Sequence, residues 1–188
     1  MFIYDNIFLS QNDCDEIIKF SKDQGLTDST VTTRVPNFRT SQLCYFKHGS
    51  NTLVDSIYSR VSGIVNLPIE NIEPIQVNRY SENQYFLPHF DFLPHELIVD
   101  TGGQRLFTFL LYLNSDFIGG QTRFPNIDVI IQPNTGQALA WRNCLSDSNL
   151  IDHNFLHESM PVSSGEKWIL VAWIRESKYT KQVSQTTN

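Results

Sequence analysis

Two stretches of the chain are apolar almost without a break, and they limit the folds open to it more than any other feature. Leu106-Phe-Thr-Phe-Leu-Leu-Tyr-Leu113 and Trp168-Ile-Leu-Val-Ala-Trp-Ile174 leave no polar face. Runs of this kind read as strands covered on both sides, hence central in a sheet. Shorter runs rich in Ile, Val, Leu, Phe, Tyr or Trp lie at 75–80, 85–91, 128–131 and 137–142, with turn residues between them. Many short strands argue a sandwich or barrel.

The earlier part of the chain follows another period. Ser10 followed by Asp13, then Cys14, Ile17 and Ile18 on one face and Gly25 beyond them, predicts a capped amphipathic helix. Leu53, Ile57 and Val61 recur every four residues, widened by Val54 and Ile64, before Pro68 closes a second helix. Helices first and strands later predict an α+β domain spanning residues 1–175. Residues 1–74 serve in it as helical support and 75–175 as the strand core. The polar residues 176–188 are expected to fray.

Composition narrows the function classes. Forty per cent hydrophobic residues, with 13 Phe and 7 Tyr, suffice for a sizeable core in 188 residues. The formal charge of -6 disfavours nucleic acid and anionic membrane as partners. No apolar run approaches the roughly 18 residues of a membrane span. Met1 to Asn6 carry no basic leader, so a cytoplasmic location is expected. Cys14, Cys44 and Cys144 form no C-x-x-C pattern and read as reduced thiols.

His89-Phe90-Asp91 closes the 85–91 run, and strand alternation points the imidazole and the carboxylate to one side. His157 is a candidate to complete a two-histidine, one-carboxylate set, which leaves coordination positions open and suits non-haem Fe(II). Taken alone, H-x-D is a weak pattern. His153 lies four residues before His157 but lacks a helical pattern that would pair them, and His95 reads as a loop residue. Trp141, Trp168 and Trp173 read as core.

The surrounding text adds a resemblance. Gln76-Val-Asn-Arg-Tyr80 through Gln84-Tyr-Phe-Leu-Pro-His89-Phe-Asp91 resembles the metal-binding segment of collagen-type prolyl 4-hydroxylases, which are 2-oxoglutarate- and Fe(II)-dependent dioxygenases. The similarity continues through Gly102-Gly103-Gln104-Arg105, Leu111-Tyr112-Leu113-Asn114 and Gly119-Gly120-Gln121-Thr122-Arg123-Phe124-Pro125. It closes with Gly136-Gln137-Ala138-Leu139, His157-Glu-Ser-Met-Pro161-Val162, Gly165-Glu166-Lys167-Trp168 and Trp173-Ile174.

The resemblance implies a double-stranded β-helix, or jelly roll. It implies His89, Asp91 and His157 as iron ligands and Lys167 as the cation for the distal carboxylate of 2-oxoglutarate. Thr122 and Tyr80 would add hydroxyl contacts to that cosubstrate, with Tyr112 a further candidate, and Arg105 would contact substrate. The implied reaction hydroxylates proline in a peptide or protein, uses O2, and splits 2-oxoglutarate to succinate and CO2, with ascorbate as reductant. Hydroxylation of another residue or of a free amino acid is the alternative within the class. A non-catalytic metal-binding jelly roll that recognises Pro-rich peptide is the alternative outside it.

Three positions depart from the family pattern. Asn83 stands for the usual Gly before Gln84, Phe86 for a frequent Tyr, and Arg175 for a His found in some relatives. The 92–104 connection is longer than a hairpin needs and is expected to act as a lid over the peptide site.

Overall fold

The structure, a computed structural model, describes residues 2–5, 7–29, 36–98, 101–145, 148 and 150–180. In chain order it comprises β1 (Phe2–Asp5), α1 (Gln11–Gln24), β2 (Thr27–Asp28), β3 (Gln42–Phe46), α2 (Thr52–Val65), β4 (Ile75–Tyr80) and β5 (Phe86–His89). There follow β6 (Arg105–Tyr112), β7 (Ile118–Gly119), β8 (Thr122–Phe124), β9 (Val129–Ile131) and β10 (Ala138–Arg142). The chain then forms β11 (His157–Ser159), β12 (Val162–Ser164) and β13 (Lys167–Arg175).

A seven-stranded antiparallel sheet, ordered β1-β10-β6-β13-β4-β3-β2, faces a four-stranded sheet ordered β5-β11-β8-β9, and β12 pairs with β7. This is the jelly roll, with the two helices on the outer face of the larger sheet. The apolar runs are its central strands β6 and β13, in register from Ile169 opposite Tyr112 to Ile174 opposite Phe107. Their lack of alternation has a direct cause. Leu111, Leu170, Ala172 and Ile174 pack in one cluster with Ile17, Val54 and Ile57 of the helices, whereas Leu110, Tyr112, Ile169 and Val171 pack in a second cluster inside the roll. Every second residue therefore meets a different apolar layer.

Ser10 and Asp13 form the expected capping box and Gly25 ends α1 at φ +86°. In α2 the buried stripe is Val54, Ile57, Tyr58 and Val61, while Ile64 is exposed. Tyr58 turns the stripe inward because its hydroxyl is bonded, accepting from the Ile75 N–H at 3.1 Å and donating to the Phe46 carbonyl at 3.0 Å.

The N-terminal part is not helical support alone, since β1, β2 and β3 lie before and between the helices and extend the larger sheet at both edges. Nor do all of the last residues fray. The Glu176 N–H donates to the Gln104 carbonyl, the Ser177 N–H to Gly102 and the Tyr179 N–H to Glu70, each within 2.9 Å. Residues 181–188 lie outside the described set. Asn83 takes the left-handed conformation at φ +63° that the missing glycine requires.

Candidate active site

The site lies inside the roll, between the sheets, in a cleft of about 430 Å³ out to its mouth. Register explains its layering. Trp141, Thr108 and Trp173 stand side by side on β10, β6 and β13, and all three line the cleft. Deeper, Leu110 and Val171 pair across the same strands, and Lys167 stands directly opposite Tyr80. A cleft with an apolar wall of Leu110, Ile169 and Val171, flanked by Gln76 and Asn78 of β4, thus runs from the mouth to a buried cation.

At the mouth end, β11 places His157 directly opposite His89 of β5. Strand β5 ends at His89, and Asp91 follows in a bend, yet the three side chains converge with one ligand atom each within 4.8 Å of the others. Nε2 of His89 lies 3.8 Å from Asp91 Oδ1, and Nε2 of His157 lies 3.6 Å from Oδ2. Each histidine has its other nitrogen bound to a carbonyl two residues back: His89 Nδ1 to Leu87 at 2.8 Å and His157 Nδ1 to Phe155 at 2.9 Å. A carbonyl only accepts, so both Nδ1 atoms carry the proton and both Nε2 lone pairs are free toward the shared point.

Electrostatics agrees with this tautomer. Burial, then the neighbouring His157, draws the His89 pKa well below the usual histidine range, so its ring is neutral. Burial alone would raise Asp91, but His157, His89 and Arg105 outweigh it and hold the carboxyl ionised. Two imidazoles that present Nε2 and one carboxylate are the donor set that suits Fe(II).

Lys167 occupies the far end, with none of its surface exposed. Nζ donates to Ser159 Oγ at 2.7 Å and lies 5.3 Å from the Tyr80 ring centre. Thr122, opposite Ser159 on β8, accepts from the Tyr112 hydroxyl at 2.5 Å. Tyr80, Tyr112, Thr122 and Lys167 are therefore gathered at one end of the cleft. Among the described residues Lys167 pairs with no carboxylate, and burial brings its pKa down to about 7. Gly120, at φ +65°, lets the lysine stem pass, since a Cβ there would lie 3.1 Å from Lys167 Cδ.

Arg105 is placed beside the triad, with Nη1 4.0 Å from Asp91 Oδ1. Its guanidinium is also held in a two-point pair with Glu73 at 2.7 and 2.9 Å, and it stacks 3.8 Å over the Trp173 ring. Arg175 Nε meets the same Glu73 carboxylate at 2.6 Å. Phe86, without a hydroxyl, stacks on His89 with ring centres 3.6 Å apart, and the Arg39 guanidinium covers its other side. His153 packs edge-on against Phe90 and takes no part in the triad, and Arg123 forms an outer pair with Glu158. Trp141 and Trp173 are buried as the core reading had it, but they also wall the cleft.

The sequence reading did not single out Glu73, Thr108, Asn143, Ser159 or Arg39. The 92–104 connection is described except for 99–100, and Gln104 ties its ends through two bonds to the Leu93 backbone at 2.7 and 2.8 Å.

With this geometry in view, comparisons with known proteins fall into place. Residues 75–175 match the model of the 2OG-Fe(II) oxygenase superfamily. An Acanthamoeba polyphaga mimivirus protein named "Putative prolyl 4-hydroxylase" is 34% identical over 184 residues, covering 95% of this chain and 75% of its own. Prolyl 4-hydroxylase 2 of Arabidopsis thaliana is 30% identical over 214 residues, covering 100% and 71%. The 2OG complex of the viral collagen prolyl hydroxylase from Paramecium Bursaria Chlorella virus-1 superposes with a TM-score of 0.79 at 29% identity, covering 93% of this chain and 95% of that one. The chain is a member of the 2OG-Fe(II) oxygenase superfamily.

Proposed function

We propose that the protein is a prolyl 4-hydroxylase acting on proline in a peptide or protein. The observation that carries this reading is the pairing, in one cleft, of a metal triad at the mouth with a fully buried lysine at the base that has no carboxylate partner among the described residues. A buried ammonium is unfavourable unless an anion meets it. Between the two ends one wall is apolar, with Leu110, Ile169 and Val171, and the next carries Gln76 and Asn78 bonded to Arg39. A short dicarboxylate with a keto group at one end satisfies both ends at once.

Fe(II), held by His89, Asp91 and His157, would supply O2 activation coupled to the oxidative decarboxylation of 2-oxoglutarate. The balance is one O2 shared between succinate and hydroxyproline, with CO2 released, and ascorbate would serve as reductant. The rest falls to the chain. Lys167 fixes the distal carboxylate, with Tyr80 and Thr122 beside it and Leu110, Ile169 and Val171 along one wall. Arg105, locked to Glu73 and laid on Trp173, forms a rigid wall for the peptide next to the metal, and the 92–104 connection closes over it. The -6 charge favours a peptide over nucleic acid. Three free, buried thiols fit a reducing compartment such as the cytoplasm. Among the described residues, no helix is long and apolar enough to cross a membrane.

The test is a panel of Pro-containing peptides, matched Pro-free peptides and free proline, incubated with Fe(II), 2-oxoglutarate and ascorbate and read by tandem mass spectrometry. One added oxygen on peptidyl proline is expected. Oxygen on free proline or on another residue assigns the chain to the other hydroxylases, and peptide binding without oxygen or succinate makes it a binding protein.

A further inference from the structure

The apolar run of β6 contains one threonine, and its placement is unusual. Thr108 is 1% exposed and stands between two large indoles, Trp141 and Trp173, on the neighbouring strands. A hydroxyl buried among rings is unfavourable unless it is bonded. Thr108 Oγ1 lies 2.7 Å from Asp91 Oδ2 and 3.0 Å from Asn143 Nδ2.

We propose that Asn143 and Thr108 form a two-step hydrogen-bond relay that positions Asp91 as a one-oxygen ligand and thereby sets the affinity of the site for a divalent metal. This rests on the reading of His89, Asp91 and His157 as a metal centre.

The direction of the relay follows from proton counting. A carboxylate only accepts and a threonine has one hydroxyl proton, so that proton goes to Asp91. The oxygen lone pairs of Thr108 are then left to accept from the Asn143 amide. The Asn143 amide oxygen, at 3.3 Å, is the more distant partner. Asn143 is itself held in place: it is 3% exposed, its N–H donates to the Leu106 carbonyl at 2.8 Å, and its carbonyl accepts from the Asp152 N–H at 3.0 Å. Both bonds run toward the carboxylate, so each strengthens the other.

The consequence lies in what Asp91 has left. Oδ2 is engaged by Thr108, which leaves Oδ1, 3.8 Å from His89 Nε2 and 4.0 Å from Arg105 Nη1, as the oxygen turned to the metal position. Oδ2 also faces His157 Nε2 at 3.6 Å, so a carboxylate released from Thr108 could turn both oxygens toward an ion. Two-oxygen binding would take a coordination position that cosubstrate or O2 needs. Neither Thr108 nor Asn143 reaches the metal; both are positioning residues.

The test uses the full chain and Mn(II), a redox-inert probe, with free ion followed by electron paramagnetic resonance and coordination by the visible spectrum of the Co(II) form. Thr108→Val, which keeps shape and removes the hydroxyl, is expected to weaken Mn(II) binding roughly 10–100-fold and alter the Co(II) spectrum. Thr108→Ser restores both toward the parent values, and Asn143→Leu weakens binding less than Thr108→Val. Parent-like affinity in Thr108→Val, or equal weakening in Thr108→Ser, overturns the relay. Should Thr108→Val fail to fold by circular dichroism, parent-like affinity in Asn143→Leu overturns it and weakened affinity supports it. A parent chain that binds no Mn(II) removes the metal reading itself, a result distinct from failure of the relay.

Discussion

At the scale of single residues, Lys167 is a fully buried amine with no carboxylate partner among the described residues. Burial lowers its pKa from 10.5 to about 7. Below about pH 7 the ammonium is charged in both the folded and unfolded chain, and its full desolvation penalty applies. Between 7 and 10.5 the unfolded chain binds the extra proton, so this contribution to stability rises with pH. Lys167→Met should therefore stabilise the ligand-free protein by up to about 4 kcal/mol near pH 6, with the gain shrinking as pH approaches 10. Urea titrations of both proteins across that range check it, and a pH-independent difference contradicts it. On the proposed role of Lys167, the same proton should govern cosubstrate binding. An anion needs the ammonium form, so affinity for 2-oxoglutarate should be level below pH 7 and fall up to about tenfold per unit above it. Calorimetry in two buffers of different ionisation enthalpy should show proton uptake at pH 8, and none at pH 8 would refute it. His89, Asp91 and His157, which the structure brings together, were legible as candidates from their residue types and the H-x-D spacing, and Lys167 was a candidate through the family resemblance alone. Glu73, Thr108, Asn143 and Ser159 were not, because a strand residue does not announce its cross-strand partner. Arg105 was legible as a charge but not as one already held by Glu73.

At the scale of elements, the central strands were the most readable part and the minor sheet the least. β6 and β13 show as unbroken apolar runs, whereas β7, β8, β11 and β12 have two or three residues each, too few for any period. β3 was missed for a related reason: Gln42–Phe46 alternates poorly and gains its order by pairing with β4, from Gln42 opposite Arg79 to Phe46 opposite Ile75. The helices were legible from caps and stripe, but α2 rotates to bury Tyr58 in place of Ile64 because the tyrosine hydroxyl finds backbone partners. The larger sheet is tied together by a row that runs Ala138, Leu111, Leu170, Val77 and Cys44 from strand to strand under the helices. Leu111 is fully buried at its centre, so Leu111→Ala should destabilise the chain by about 2–5 kcal/mol. The site lies on the other face, so metal affinity should stay near the parent value. Chemical denaturation and Mn(II) titration of one preparation separate the two effects.

At the scale of the whole molecule, the fold is a frame that brings distant residues to two ends of one cleft. The triad comes from β5, the bend after it and β11, and the cation from β13, so on the proposed roles a metal would tie the smaller sheet together and the cosubstrate would bridge it to the larger one. A divalent ion at about 100 times its Kd adds about 2.7 kcal/mol, which should raise Tm by about 5–10 °C for a domain of this size. A chelator should reverse the shift, and His89→Ala should abolish it. The central claim is that triad and lysine serve a single reaction. Succinate release from 2-oxoglutarate, measured with Fe(II), ascorbate and a Pro-containing peptide, tests it most directly. The parent should form succinate in step with hydroxyproline while His89→Ala and Lys167→Ala form almost none; turnover unchanged by either substitution would contradict the account.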